Sequence, residues 1–238
     1  MTKAFAAAAA SAGIAVALPC PAAADDDAAF KLTIGWYRYS DSTDGVDSNL
    51  RHSSDLGNVW LGYYRQTEPA TSQWRAGWDR TFGERVRISP SVQLASGGFV
   101  GGSIQAEAGA PWFAALGFGR TNLRPYVNLN FDPNDSYVVA AGRRGEAGQV
   151  VMVQMVRDNR ENPDQRHFHL VYRQPLEPRD RLTIDALYKV GNVDAERIRR
   201  WGLTVTYDWP KFFVRVARDP NTNFTPVDAW RLSMGTRF

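Results

Sequence analysis

The run Arg51-His52-Ser53-Ser54-Asp55 sets an imidazole and a hydroxyl two residues apart. In an extended chain alternate side chains share a face, so His52 and Ser54 would lie side by side as a base and a nucleophile. Period two groups them with Ser48 and Leu50, and no third residue that orients the base is recognisable. His167 and His169 share a face in the same way, together with Arg173. Two imidazoles with no carboxylate beside them make an incomplete metal site, so they read as polar interior groups. Asp132, Asn134 and Asp135 lack the spacing and the glycine of a calcium loop. Gly97-Gly98-Phe99-Val100-Gly101-Gly102 precedes no helix, so it is no phosphate cradle but a flexible loop or a sharp bend between strands. No cofactor and no metal is expected.

A larger chemical signal is the arginine content. Of 28 basic residues only Lys3, Lys31, Lys189 and Lys211 are lysine, and the rest are arginine. What they do depends on the elements that carry them. From Ala29 onward the apolar period is two. Trp230, Leu232, Met234 and Phe238 oppose Arg231, Ser233, Gly235 and Arg237. Val86, Ile88, Val92 and Leu94 oppose Arg87, Ser89, Ser91 and Gln93. Leu182, Ile184, Ala186, Tyr188 and Val190 oppose Arg181, Thr183, Asp185 and Lys189, and Trp201, Leu203, Val205, Tyr207 and Trp209 oppose Gly202, Thr204, Thr206 and Asp208. Turn signals divide the chain into strands at 29–40, 46–53, 58–66, 73–82, 86–95, 102–109, 112–119, 136–144, 149–158, 166–174, 181–190, 199–209, 212–218 and 229–238. The expected fold is all-β, a closed antiparallel transmembrane barrel of 14 strands, or 12 if the weak second strand is absent. A soluble sandwich would alternate too, but it does not explain aromatics at so many strand ends. Phe30, Phe82, Trp112, Trp209, Phe212 and Phe238 would mark one membrane interface, and Trp36, Trp74, Phe118, Tyr137, Trp201 and Trp230 the other.

The N-terminus has the form of a secretory signal. Lys3 precedes the apolar run Phe5–Leu18, and Ala22-Ala23-Ala24 offers a cleavage site before Asp25-Asp26-Asp27. Residues 1–24 are read as the signal peptide and 25–238 as the barrel. Pro19 before Cys20 disfavours lipidation. The run Phe5–Leu18, 14 residues long, falls short of the ~20 that a spanning helix needs. Mean hydropathy of −0.38 also excludes a helical polytopic membrane protein. Cleavage removes Lys3 and no acid, so a charge of +3 becomes +2, too small to suggest a nucleic-acid partner.

A signal peptide, amphipathic strands throughout and a last strand ending in Phe238 resemble the Gram-negative outer-membrane β-barrel proteins. That resemblance implies location in the bacterial outer membrane and contact with outer-membrane lipid. It further implies that the strand with Trp230, Leu232, Met234 and Phe238 is the signal read by the barrel assembly machinery. Size and arginine content are loosely similar to the small porins for acidic oligosaccharides, which have twelve strands and basic lumens. Some outer-membrane barrels hydrolyse lipids with a His and a Ser two residues apart, which makes His52 and Ser54 a candidate lipid A or phospholipid hydrolase pair. Their place beside a periplasmic turn, far from outer-leaflet lipid, counts against that. Turning the apolar faces outward assigns Lys31, Arg51, Arg75, Arg87, Arg173, Arg181, Lys189, Arg215, Arg231 and Arg237 to the lumen, with Asp47, Asp79, Glu107, Asp185 and Asp208. A net positive lumen favours small anionic or polar solutes diffusing passively through a non-enzymatic channel. A closed barrel filled by salt bridges, acting through its outer loops, is the alternative. The long connection Arg120–Asp135 is expected to cap the outer surface; its alternative is to fold inward and narrow the pore, with Arg120 and Arg124 facing Asp132 and Asp135.

Overall fold

A computed structural model of the chain describes residues 28–67, 70–127, 129, 134–176 and 179–238. The expected signal peptide lies outside the described residues. Fourteen strands form one closed antiparallel barrel in sequence order: β1 Phe30–Tyr39, β2 Asp44–Ser54, β3 Gly57–Gln66, β4 Thr71–Asp79, β5 Val86–Ala95, β6 Phe99–Ala108, β7 Trp112–Thr121, β8 Ser136–Arg144, β9 Val150–Asp158, β10 Arg166–Pro175, β11 Arg181–Val193, β12 Glu196–Asp208, β13 Phe212–Asp219 and β14 Ala229–Arg237. The twelve-strand alternative is excluded, because β2 is a full strand paired along both edges.

β1 closes on β14 from Lys31↔Arg237 to Tyr39↔Ala229. Beyond that ladder Phe30 and Phe238 exchange two further backbone hydrogen bonds, of 2.9 and 3.0 Å. Closure gives every strand a paired neighbour on both sides, so the ladders can sit in hydrocarbon with their backbone groups satisfied. Pro90 is tolerated inside β5 because the ladder to β4 stops at Ser91, so its missing N–H is not required there.

The outward face is apolar. Val59, Leu61, Ile104, Leu116, Val139, Val153, Leu170, Leu203, Val216 and Met234 are all exposed, while the alternate residues of the same strands are buried or half-buried. The twelve aromatics assigned from sequence to the two interfaces are likewise exposed on this face or at its rims. The connections differ between the ends. Those on the side of the two termini are tight turns and short links, such as Asp55-Leu56 and 209–211, whereas 122–135, 159–165 and 220–228 lie at the opposite, loop end. One loop-end connection is shorter than the sequence suggests. β11 and β12 run on past their expected ends to a two-residue turn at Asp194-Ala195, where both φ angles are positive (48° and 69°), as a tight hairpin requires.

Candidate functional site

The interior is built from residues that alternate with the apolar stripe. Directly opposed glycine–aromatic pairs recur on it: Trp60↔Gly77, Phe113↔Gly142 and Phe213↔Gly235. At each of these glycines an added Cβ would overlap the facing ring, so the missing side chain is what lets the ring lie on the inner wall. Two of these rings, Phe113 and Phe213, then carry cations. Arg144 stacks over Phe113 at 4.0 Å, and Lys31, Arg237 and Arg215 surround Phe213 at 4.5, 5.6 and 5.8 Å from its centroid.

Most interior charges are neutralised in place. Arg75 and Asp47 form a buried ion pair, and Glu107 binds both Arg87 and, at 2.8 Å, Arg144. Near the terminal end Arg51 meets Asp79 at 3.1 Å, while Asp208 sits between Arg237 at 2.6 Å and Arg181 at 3.4 Å. Towards the loop end Lys189 reaches Asp219 at 2.5 Å. Arg173 also lies on the inward face of β10, half-buried.

Besides Arg200, which faces inward opposite Lys189 with no ion pair among the described residues, three inward cations on adjacent strands differ. Lys31 on β1, Arg215 on β13 and Arg231 on β14 form no ion pair with a carboxylate among the described residues. Arg215 instead donates its Nε–H to Thr206 Oγ1 at 3.2 Å, and the Arg231 guanidinium lies 5.9 Å from the Tyr37 ring centroid. The register links them: Lys31 is opposite Arg237, Arg215 is opposite Ser233, and Arg231 is opposite Tyr37. The wall formed by β13, β14 and β1 therefore carries positive charge from Lys31 at the terminal end to Arg231 near the loop end.

Two loop-end segments enter the barrel. The expectation that 120–135 caps the outer surface is corrected, for its middle folds inward. Val127 donates its N–H to Gln73 Oε1 at 3.1 Å, Tyr126 stacks on Phe99 at 4.2 Å, and Leu129 is buried against Tyr37 and Tyr64. Apolar residues at 126, 127 and 129 gain burial only on the inside. Asp135 binds Arg120 at 3.4 Å, with Arg160 at 3.1 Å from the next loop, and Asn134 accepts from Gln93; Asp132 lies outside the described residues. The second segment, the short 3-10 turn Thr222–Phe224, packs Phe224 on His167 at 5.1 Å and beside Gly191. Lys189 donates to the Asn221 carbonyl at 3.2 Å beneath it.

The histidines are set differently from the sequence reading. His169 Nδ1 lies 2.9 Å from Asp185, so a carboxylate does stand beside the pair, brought there by cross-strand packing of β10 on β11. His52 faces outward at the terminal end, its ring 4.6 Å from Phe30 and its Nδ1 3.2 Å from the Ala29 carbonyl. The Ser54 hydroxyl donates to the Gly57 carbonyl at 3.2 Å and accepts the Leu56 N–H at 3.3 Å, closing the turn between β2 and β3. No hydrogen bond joins His52 to Ser54. Gly97 and Gly98 form the turn between β5 and β6 with φ of 85° and 81°, and β6 begins at Phe99, earlier than the sequence suggests.

No protein-family model matches the chain, and no curated protein matches it. Among solved structures, the outer membrane protein Omp33 of Acinetobacter baumannii aligns over 89% of this chain and 98% of its own, with a TM-score of 0.53 and 12% identity. The fold is that of this outer membrane protein, a closed antiparallel β-barrel. The NanC porin aligns over 87% of this chain and 100% of its own (TM-score 0.47, 6% identity), and the KdgM porin over 87% and 99% (0.44, 10%). Sequence reasoning missed Phe213, Phe113, Arg144 and Asp219. The signal available for the first two was an inward glycine at a register position opposite an inward ring, which requires the strand pairing to be known.

Proposed function

We propose that this chain is an outer-membrane channel through which small anionic solutes diffuse passively, with no catalytic step. The observation that carries this reading is the cationic ladder of Lys31, Arg215 and Arg231 on one wall, left without ion-pair partners among the described residues where most of the other interior charges are matched. A guanidinium keeps its charge in nearly any environment and can bind carboxylate or phosphate in two-point fashion. The three cations stand at the levels of β14 residues 237, 233 and 231, steps of roughly 14 and 7 Å along the wall, and such a series offers successive weak sites and favours anion passage over cation passage. The inward segments around Leu129 and Phe224 would set the constriction. With the termini in the periplasm, they hang from the outer mouth.

Single-channel recording of the refolded barrel in a planar bilayer under a salt gradient tests this. The expected result is a discrete conductance with a reversal potential of anion-preferring sign. The combined substitution Lys31→Gln, Arg215→Gln and Arg231→Gln should move that potential towards zero while leaving the barrel folded. Cation preference in the unsubstituted chain, or a reversal potential indifferent to the triple change, rejects the reading. A folded barrel with no conductance favours the closed alternative, in which the ion pairs Arg75–Asp47 and Arg87–Glu107–Arg144 fill the interior as scaffold.

A further inference from the structure

The outward face also carries arginine, and on one sector it is unneutralised. Across four adjacent strands the register runs Arg157↔Arg166↔Val190↔Arg199, with Arg197 two residues further along β12, opposite Asn192. All four arginines are exposed and sit at the loop end. The row below them on the same face is Met155↔Phe168↔Tyr188↔Trp201. Its rings are in contact, with centroids 6.4 Å apart for Phe168 and Tyr188 and 4.6 Å for Tyr188 and Trp201. Below that lie Val153, Leu170, Ala186 and Leu203, the start of the apolar band.

Elsewhere around the rim outward arginines face acids: Arg38 meets Asp44 at 2.7 Å, Arg120 meets Asp135 at 3.4 Å, and Arg218 meets Asp228 at 3.9 Å. Arg65 stands alone on β3. The carboxylates nearest in sequence to the β9–β12 row are Asp158, Glu161, Asp164, Asp194 and Glu196. None of them forms an ion pair with these arginines among the described residues. Arg157 and Arg166 are directly opposed, an arrangement of like charges that costs stability unless an anion lies between them. Arg157 Nε donates to the Pro163 carbonyl at 2.9 Å, which fixes its guanidinium and leaves its terminal amino groups for a ligand.

We infer that Arg157, Arg166, Arg199 and Arg197 form a binding site for the phosphate-bearing headgroup of a membrane lipid, whose acyl chains lie along the Phe168–Tyr188–Trp201 row. β9 to β12 is three interstrand steps of about 4.8 Å, a span of roughly 14 Å that long arginine side chains reaching in from both sides can bridge to one phosphate group over Val190. The aromatic row directly beneath commits the occupant to a lipid, because a free phosphate has no use for an apolar shelf. This inference rests on the barrel being membrane-embedded and is independent of whether its interior conducts.

The test reconstitutes the folded barrel in phosphatidylcholine vesicles doped with phosphatidic acid, and counts retained lipid by native mass spectrometry after release from the membrane. Phosphatidic acid should be retained over phosphatidylcholine, and the Arg157→Gln, Arg166→Gln and Arg199→Gln triple variant should lose that retention tenfold or more. Arg38→Gln, which removes a paired arginine outside the site, should leave it unchanged. Equal retention in the triple variant and the unsubstituted chain overturns the proposal. Displacement of the lipid by inorganic phosphate also overturns it, in favour of a free-anion site. The triple variant should keep the conductance and reversal potential of the unsubstituted barrel, so the outcome is separable from that of the channel reading.

Discussion

Replacing Asp47 by Asn removes the negative half of an ion pair whose side chains are 0% exposed for Arg75 and 4% for Asp47. The amide preserves size and some hydrogen bonding, so the change is almost purely one of charge. An arginine left buried without its counter-ion costs about 3–5 kcal/mol. With a denaturant slope of about 2 kcal/mol per molar, that moves a urea midpoint down by roughly 2 M. The contrasting pair, Arg38–Asp44, has side chains 48% and 38% exposed, and its loss through Arg38→Gln should cost about 1 kcal/mol or less. The assay is reversible urea unfolding in lipid vesicles, followed by tryptophan fluorescence. The same logic predicts a rescue, since Asp47→Leu with Arg75→Met replaces both charges by apolar groups of similar length and should recover most of the loss. A midpoint for Asp47→Asn within experimental error of the unsubstituted chain would refute the reasoning. It would mean that water reaches Arg75 and the interior there is wet.

Four further outcomes follow from particular contacts. Gly235→Ala puts a methyl into the Phe213 ring and should destabilise the barrel by about 1–3 kcal/mol in the same unfolding assay, with Phe213→Ala restoring tolerance; an isolated effect of either change with no coupling would disconnect the two. Shortening the connection between Asn122 and Asn134 should raise single-channel conductance, because Val127 and Leu129 leave the inner wall, and an unchanged conductance would place the constriction elsewhere. Deleting Phe238 removes two backbone hydrogen bonds of the β1–β14 seam and should lower the yield of heat-resistant folded barrel in cell envelopes, as seen by its electrophoretic shift. Lipid hydrolysis by the purified barrel should stay at background and be unmoved by Ser54→Ala; an activity that this substitution abolishes would revive the His52–Ser54 pair.

The barrel was legible because its physics repeats at every second residue. The alternation Trp230, Leu232, Met234 against Arg231, Ser233, Gly235 survives directly as outward and inward faces of β14. The long hairpin of β11 and β12 was less so, since Asn192, Asp194 and Glu196 read as loop although the chain remains paired there above the apolar band. Partner choice was the information period two cannot carry. Whether an inward arginine meets a carboxylate depends on register between strands distant in sequence: Arg75 finds Asp47 across β3, 28 residues away. The inward course of 120–135 was equally hidden, for its burial depends on the wall opposite as much as on its own residues.

Face and partner together separate three roles for the basic residues of this chain. Arg75, Arg87 and Arg144 face inward and meet acids, which links β2 to β4 and β5 through β6 to β8. Lys31, Arg215 and Arg231 face inward without acids, and they lie on the seam where β14 meets β1. Arg157, Arg166 and Arg199 face outward without acids, above an aromatic row. Only the last two sets lack an ion pair among the described residues, and an anion is proposed for each. In the channel reading that anion is mobile, passing down a wall of weak successive sites. In the lipid reading it is held, because the surface that would anchor its apolar remainder lies directly beneath it.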